Sequence, residues 1–171
     1  MREFIKNDEH YAVYEEFLAQ GYPFDVVNFG KRLGIKIVKS NFENFNDKIS
    51  GLIVRQNGQT TISVKAKDTE ERQRFTVAHE LGHFFLHQEH LDKGLMDGIG
   101  LRRDGEVNDI ENEANNFAAN LLMPESVFRG LWNDKTISLE EMAQYFYVSC
   151  SAIITRAKFL KLANDGVGFF G

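Results

Sequence analysis

Three side chains within one short segment have the types and the spacing of a metal site that activates water. His79, Glu80 and His83 stand in the order H-E-x-x-H inside the segment FTVAHELGHFFLH, residues 75–87. Residues four apart lie on the same face of a helix, so His79 and His83 can both bind one ion. Glu80 lies about 100° further around the helix, where a general base for a metal-bound water belongs. Apolar residues flank the trio, so we predict a mostly buried helix whose polar side chains need a partner.

The third ligand must come from another part of the chain. A catalytic zinc site takes three protein ligands and leaves the fourth position for water. His87 continues the histidine stripe, but it lies eight residues from His79, about 12 Å along the helix axis, so one ion cannot bind both. The longer pattern H-E-x-x-H-x-x-G-x-x-H also fails, because Leu86 stands where it needs glycine and Glu89 where it needs histidine.

A second helix, predicted from about Asn108 to Met123, offers two carboxylates, Glu111 and Glu113. Its apolar stripe spans about −20° to 120°; Glu111 falls inside it at about 100°, and Glu113 falls outside it at about 300°. A carboxylate inside an apolar stripe needs a bound cation, so we predict Glu111 as the third ligand and keep Glu113 as the alternative. Asn115, at about 140°, is predicted to hydrogen-bond the second nitrogen of a metal-bound histidine.

The sequence before this site predicts two short helices and a small β-sheet. Apolar spacing indicates helices at about 11–18 and 24–33, and a strand follows at Ile35–Val38. The runs on either side of Asn57-Gly58 predict a β-hairpin at about Ser50–Lys65, because both central positions of a type I′ turn need positive φ. These elements precede the H-E-x-x-H helix and would form the sheet beside it.

The H-E-x-x-H helix itself carries two local signals. Asp68, with Glu71 three residues later, resembles a capping box, which places the helix start near Thr69. Gly82 in the helix interior costs about 1 kcal/mol relative to alanine, so we expect another element to pack closely there.

The C-terminal part has the outline of a helix, a short turn and a second helix, within residues 137–162. A long irregular stretch from about Leu91 to Val107 is predicted as a loop. We predict that residues 1–128 form one domain including the N-terminal helices. Residues 129–163 are predicted as a helix-turn-helix-like segment packed on that domain, and residues 164–171 as a loose tail.

Composition limits the classes of protein to which the chain can belong. Its 171 residues are 43% hydrophobic and 26% charged, which is typical of one ordinary globular domain. One cysteine, Cys150, excludes an internal disulfide, and no apolar run approaches the roughly 20 residues of a membrane span. We therefore expect a cytoplasmic protein without a membrane segment. The net charge of −5 argues against a general polyanion binder.

Two segments together resemble a known family. The order of a strand hairpin, RFTVAHELGHFFLH, ENEANNFAANLLMP and a helix-turn-helix-like segment is similar to the ImmA/IrrE metallo-endopeptidases, from about Phe24 to Leu162. The resemblance implies an α+β fold with a zincin-like core, in which a small sheet and two active-site helices hold the site. It implies Zn²⁺ bound by His79, His83 and Glu111, with Glu80 activating the water.

The family also implies how a substrate binds. The hairpin strand nearest the active-site helix would lie at the edge of the cleft and pair with an extended peptide, as an exposed edge strand can. The residues predicted to bind substrate in this way are Thr60, Thr61, Ile62, Ser63, Val64 and Lys65.

The resemblance further implies a partner. Members of this kind cleave or inactivate an Xre-type helix-turn-helix repressor of a phage or mobile element, some as parts of toxin–antitoxin pairs. Longer members regulate a DNA-damage response, and because this chain stops soon after the helix-turn-helix-like segment, we expect the short, mobile-element type.

Two other functions remain open at this point. The chain is either a metal-stabilised protein that binds the repressor without cutting it, or a DNA-binding regulator acting through residues 149–162. Against DNA binding, residues 134–162 hold four basic and three acidic side chains, which is few for binding phosphates. The group that stabilises the oxyanion is also open, with His87, His90 and Tyr145 as candidates that are at least as well explained as packed or surface residues.

Overall fold

The computed structural model describes residues 1–42, 49–91, 95–96 and 106–163, with backbone alone at 90, 95–96 and 106–108. Over these ranges the chain forms an α+β fold of eight helices and four strands. The predicted tail at 164–171 and most of the predicted loop after Leu91 lie outside the described residues. The elements are α1 Asp8–Leu18, α2 Val26–Arg32, β1 Lys36–Ser40, β2 Gly51–Gln56, β3 Gln59–Lys65, α3 Glu70–Leu86, α4 Gln88–Leu91, β4 Leu95–Met96, α5 Glu106–Leu122, α6 Glu125–Asn133, α7 Leu139–Phe146 and α8 Cys150–Phe159.

The sheet has the strand order β1-β3-β2-β4. The predicted hairpin is confirmed: β2 and β3 pair antiparallel, and Asn57 and Gly58 at the turn have φ of 50° and 77°. Positive φ at both positions is the type I′ geometry that the Asn-Gly pair favours. Strand β1 pairs with β3 in parallel, and the two-residue β4 pairs antiparallel with β2 at Leu52 and Ile53.

The prediction that Thr60–Lys65 forms an edge strand is wrong. These residues lie in β3, which is hydrogen-bonded to β1 on one side and to β2 on the other. A strand paired on both sides has no free backbone donors or acceptors for a peptide, so the β-augmentation expected at Thr60–Lys65 fails on topology. Nothing in the local pattern of residues indicates that β1 pairs with β3 in parallel.

Helix α3 begins one residue later than the predicted capping box implies. Thr69, not Asp68, is the N-cap, and its side chain accepts a hydrogen bond from the Arg72 backbone N–H. The buried Gln73 side chain then donates to the carbonyls of Lys65, Ala66 and Asp68, which fixes the turn between β3 and α3. These bonds tie the start of the H-E-x-x-H helix to the end of the central strand.

Helices α3 and α5 approach each other closely at Gly82. A Cβ added there would lie 2.9 Å from the Ala114 Cα and 3.0 Å from the Ala114 carbonyl oxygen. Such distances leave no room for a side chain, which is the close packing that an interior glycine predicted. The crossing at Gly82 sets the spacing between the two helices that carry the candidate site.

The C-terminal helices contribute to the shared core, and α8 contacts the end of α5. Helix α6 was not separately predicted, while α7 and α8 flank a short turn at which Tyr147 has a φ of 53°. Arg156 of α8 is buried, and its guanidinium donates to the Met123 carbonyl at 3.1 Å and to Asn120 Oδ1 at 2.7 Å. In the part of the chain that the structure describes, no helix has both the length and the apolar character to cross a bilayer.

Candidate metal centre

The structure brings His79, His83 and Glu111 together between α3 and α5. The Nε2 atoms of the two histidines lie 3.1 Å apart. Glu111 Oε2 lies 3.2 Å from His79 Nε2, and Glu111 Oε1 lies 3.6 Å from His83 Nε2. Both imidazoles are buried, and the Glu111 side chain is 24% exposed, so the three donors converge at the margin of the core.

The spacing of these donors fits one metal ion. In a tetrahedral zinc site with bonds of about 2.1 Å, neighbouring ligand atoms lie about 3.4 Å apart. The two Nε2 atoms lie 3.1 Å apart, and each lies 3.2 or 3.6 Å from a different one of the two Glu111 oxygens, all close to that value. With one ligand atom taken from each residue, the three atoms lie within 4.8 Å of one another. Two imidazoles and one carboxylate are also a donor set that divalent transition metals take. The residues present therefore fit a metal with an open fourth position.

Asn115 fixes the orientation of the first histidine. Its Oδ1 lies 3.0 Å from His79 Nδ1. An amide oxygen accepts only, so the proton of a neutral His79 sits on Nδ1 and the lone pair of Nε2 faces Glu111. The structure thus places Asn115 against the second nitrogen of a candidate ligand, the position that the helical angle predicts.

Glu111 is held in its ionised form. Burial alone would raise the pKa of this carboxyl, but the hydrogen bond with His79 and the charge interactions with His79, His83 and His87 outweigh it. The net result is a pKa below the ordinary value for glutamate. A carboxylate that is ionised near neutral pH is the form that binds a metal.

Glu80 lies on the same helix but faces the sheet. Its side chain is 1% exposed, and both carboxylate oxygens are buried. A Cβ added to Gly51 of β2 would lie 2.6 Å from Glu80 Oε1 and 2.3 Å from Thr76 Cγ2. Glycine at position 51 therefore makes the space in which the Glu80 carboxylate lies between α3 and β2.

Sequence reasoning missed the contact of two further side chains, His87 and Glu113, behind the centre. His87 Nδ1 lies 3.0 Å from His83 Nδ1, and His87 Nε2 lies 3.0 Å from Glu113 Oε2. Glu113 faces outward as its helical angle predicts, with 63% of its side chain exposed, yet it reaches the buried His87. The available signals were the i, i+4 spacing of His83 and His87 and the position of Glu113 two residues after Glu111.

Of the other oxyanion candidates, Tyr145 is not part of this cluster. Tyr145 packs on Tyr22 and Phe146, with ring centroids 5.6 and 5.1 Å away, and is 42% exposed. The side chain of His90 lies outside the described residues. Both ring nitrogens of His87 lie in contacts with His83 and Glu113, as given above.

The chain has relatives in fold and in sequence. Among curated proteins, none shows a significant match to it. Among solved structures, a Mycobacterium tuberculosis transcriptional regulator shares the fold, with a TM-score of 0.56 and 18% identity over 89% of this chain. This chain spans about half, 47%, of that regulator's chain. The family model described as the IrrE N-terminal-like domain matches residues 31–158, which include both helices of the metal centre. The chain therefore belongs to the Peptidase_M78 family.

Proposed function

We propose that the chain is a zinc-dependent endopeptidase with a zincin-like core. The observation that carries the proposal is the convergence of His79 and His83 of α3 with Glu111 of α5, together with the buried Glu80 next to His79 on α3. Membership of a peptidase family supports hydrolysis of a peptide bond as the reaction. In this proposal His79, His83 and Glu111 hold the metal, and Glu80 is the general base.

The chemistry divides between the ion and the side chains. A zinc ion bound at this site supplies Lewis acidity, which makes water a nucleophile near neutral pH and polarises a peptide carbonyl. Glu80 takes the proton from the attacking water and passes it to the amine that leaves. Its burial against Gly51 keeps bulk water away from the carboxylate, and Asn115 keeps the His79 lone pair directed at the centre.

A groove beside the metal centre supports a peptide as substrate. It has a volume of about 740 Å³ and lies between the first turns of α3, the length of α5 and the exposed face of α8. Asn115 both lines this groove and is hydrogen-bonded to His79, so the groove lies one side chain away from the candidate ligands. From Asn112 to Met123 its α5 wall runs about 16 Å, the length of about five extended residues. Its lining is largely apolar, with Phe75, Ala119 and Phe159 among the contributing residues.

We propose a helix-turn-helix repressor of a phage or mobile element as the protein that is cleaved or inactivated. The resemblance of the sequence to proteases with such partners supports this. The solved relative is a transcriptional regulator, which is consistent with a role in gene regulation. The groove supports binding of a segment of about five residues in extended form, rather than of a folded surface.

The position of α8 weakens the alternative of DNA binding through residues 149–162. Ser151, Thr155 and Phe159, which follow one face of α8, line the groove next to the peptidase helices. Arg156, one of the few basic residues in this segment, is buried on Met123 and Asn120 and does not face solvent. A recognition helix needs an outward face that carries several phosphate-binding side chains. Helix α8 is better suited to form a wall of the substrate groove.

The test is to incubate the zinc-loaded protein with the helix-turn-helix repressor encoded beside its gene and to read new N-termini by mass spectrometry. Three forms are compared: the wild type, Glu80→Gln, and Glu140→Gln as a matched control on an exposed glutamate of α7. We expect cleavage at one position by the wild type and the control, and a loss of about 10²- to 10⁴-fold in Glu80→Gln. Zinc content should be equal in all three.

Two results would count against the proposal in different ways. If the repressor binds all three forms and none cuts it, the protein is a metal-stabilised repressor-binding protein or a toxin–antitoxin component. If Glu80→Gln cuts as fast as the wild type, hydrolysis occurs but Glu80 is not its base.

A further inference from the structure

A hydrogen-bonded chain runs from the metal centre to the protein surface. It joins His83 to His87 at the end of α3 and then His87 to Glu113 on α5, with both contacts at 3.0 Å. His87 is 6% exposed, whereas the Glu113 side chain is 63% exposed. This series of hydrogen bonds therefore begins at a candidate ligand, passes through a buried imidazole and ends on a carboxylate in contact with water.

The chemistry of the last member decides where the protons sit along this chain. An ionised carboxylate accepts hydrogen bonds and does not donate them, so Glu113 requires the proton of a neutral His87 on Nε2. The Nδ1 atom of His87 is then an acceptor, which requires the proton of His83 on Nδ1. The remaining nitrogen of His83, Nε2, carries a lone pair and is the atom that faces His79 and Glu111.

We propose that His87 and Glu113 are positioning residues that fix His83 in the tautomer able to bind the metal. The inference rests on the metal site of the proposed function and adds two residues to it. Neither residue is among the candidate ligands, and neither would take part in the proton transfers of the proposed hydrolysis. Their effect reaches the centre through the tautomer and the ring orientation of His83.

The two candidate histidine ligands are then oriented by different groups. His79 is oriented by the neutral amide of Asn115, which has an acceptor and a donor at the same branch. His83 is oriented by an imidazole whose own tautomer is set by a carboxylate. Because a carboxylate has no donor to offer when ionised, Glu113 excludes the wrong tautomer, whereas an amide can present either atom.

The effect of Glu113 on His83 is tested by measuring zinc affinity, through competition with a fluorescent chelator at pH 8. Glu113 is suited to this test because its side chain is exposed and its replacement should not disturb folding. Glu113→Ala should weaken zinc binding about 10-fold or more, since outer partners of ligating histidines are typically worth 10- to 100-fold. The matched control is Asp109→Ala, which removes the same charge from the exposed face of α5 one turn earlier. The control should change affinity less than twofold. His87→Ala should weaken binding at least as much as Glu113→Ala.

Reversing the hydrogen-bond character of the outer residue sharpens the test. Glu113→Lys places a donor where the carboxylate was, which requires His87 to accept on Nε2 and donate from Nδ1. His83 must then accept on Nδ1 and carry its proton on Nε2, the atom that the metal needs free of a proton. Glu113→Lys should therefore bind zinc more weakly than Glu113→Ala, while Glu113→Gln, which can still present an oxygen, should keep most of the affinity.

Nitrogen-15 NMR of the histidine side chains in the metal-free protein reads the tautomers directly. We expect His83 protonated on Nδ1 and His87 protonated on Nε2 in the wild type, with His87 shifted towards the Nδ1 tautomer in Glu113→Lys. A wild type with the opposite tautomers overturns the inference. Affinities of Glu113→Ala and Glu113→Lys equal to that of Asp109→Ala also overturn it. A wild type that binds no zinc removes the proposed function, but the tautomers of the metal-free protein still decide whether Glu113 and His87 orient His83.

Discussion

Two sets of histidine and glutamate side chains lie side by side between α3 and α5. In one set the ligand atoms converge, and in the other each atom is hydrogen-bonded to a neighbour. The inner set, His79, His83 and Glu111, brings three ligand atoms within 4.8 Å of one another. In the outer pair, His87 and Glu113, each ring nitrogen of His87 makes one contact at 3.0 Å. Its Nδ1 contacts His83, and its Nε2 contacts Glu113. The side chain of Glu111 is 24% exposed, and that of Glu113 is 63% exposed. The residue types are the same in both sets.

The difference indicates that the arrangement of acceptors, not the kind of residue, distinguishes the candidate metal centre from its surroundings. Three acceptors that converge repel one another unless a cation or protons lie between them, which favours metal binding at the inner set. The outer pair satisfies its own hydrogen bonds and offers no such convergence. The two glutamates are only two residues apart in α5, so a turn of about 200° around the helix separates a candidate ligand from an outer partner.

The largest expected effect is a loss of zinc affinity that is greater for a change at Glu111 than for one at Glu113. Glu111→Ala removes one of three protein ligands, and if a zinc site worth about 10–16 kcal/mol is shared by its ligands, the loss is about 3 kcal/mol or more. We therefore expect a fall in zinc affinity of at least about 100-fold for Glu111→Ala, measured by chelator competition, well beyond that of Glu113→Ala. Equal losses for the two variants would abolish the distinction between inner and outer sets.

The second largest expected effect is a loss of zinc affinity at low pH, because protons compete with the metal for the inner set. Both histidines must be neutral to bind zinc, so affinity should fall steeply, by up to about 100-fold per pH unit, once the pH drops below the ordinary histidine pKa of about 6.5. Glu111 does not cause this loss. Its pKa lies below the ordinary value, so its carboxylate stays ionised there and protonates only as the pH falls through that lowered value.

Chelator competition across a pH range of about 5 to 8 measures this dependence. A fall in affinity that begins only near the pKa of a carboxylate would mean that the histidines are not ligands.

A third effect concerns Asn115, which orients His79 as His87 is proposed to orient His83. Asn115→Leu removes the acceptor and should weaken zinc binding about 10-fold, whereas Asn115→Asp keeps an acceptor at the same place and should bind zinc as well as the wild type. Asn112→Leu, on an exposed groove residue of the same helix, is the control. The parallel between Asn115 and His87 fails if Asn115→Asp loses as much affinity as Asn115→Leu.

The smallest expected effect is on the free energy of unfolding. It concerns Gly82, where α3 and α5 cross and so set the positions of both sets. Gly82→Ala would place a Cβ 2.9 Å from the Ala114 backbone, and overpacking of this kind costs about 1–3 kcal/mol. Gly130→Ala in α6 meets nothing within 4 Å and should gain up to about 1 kcal/mol from helix propensity. Thermal unfolding of the metal-free variants measures both, and a stabilised Gly82→Ala would show that α3 and α5 are less tightly packed than the distances indicate.

Local patterns of residues predicted the hairpin and the inner set, because their causes are local. Asn57-Gly58 specifies its turn through backbone conformation. Glu111 is distinguished from Glu113 by its angle on one helix, which requires no knowledge of the neighbouring helix.

The features that sequence reasoning missed depend on how distant elements meet. The parallel pairing of β1 with β3 moves Thr60–Lys65 from the edge to the interior of the sheet, and no residue in the strand encodes that order. The contact of His87 with Glu113 needs the relative position of α3 and α5. That position is set by the approach at Gly82, where a close neighbour was predicted but not its identity.

Zinc-edge X-ray absorption on the zinc-loaded wild type and on Glu111→Ala would test the proposed ligand set by observing the ion itself. We expect one zinc per chain with two nitrogen and two oxygen ligands at about 2.0–2.1 Å in the wild type, one oxygen belonging to Glu111. In Glu111→Ala the zinc should be lost, or retained with one protein oxygen fewer. An unchanged ligand shell in Glu111→Ala, or a shell containing three imidazole nitrogens, would contradict the assignment of His79, His83 and Glu111 as the metal centre.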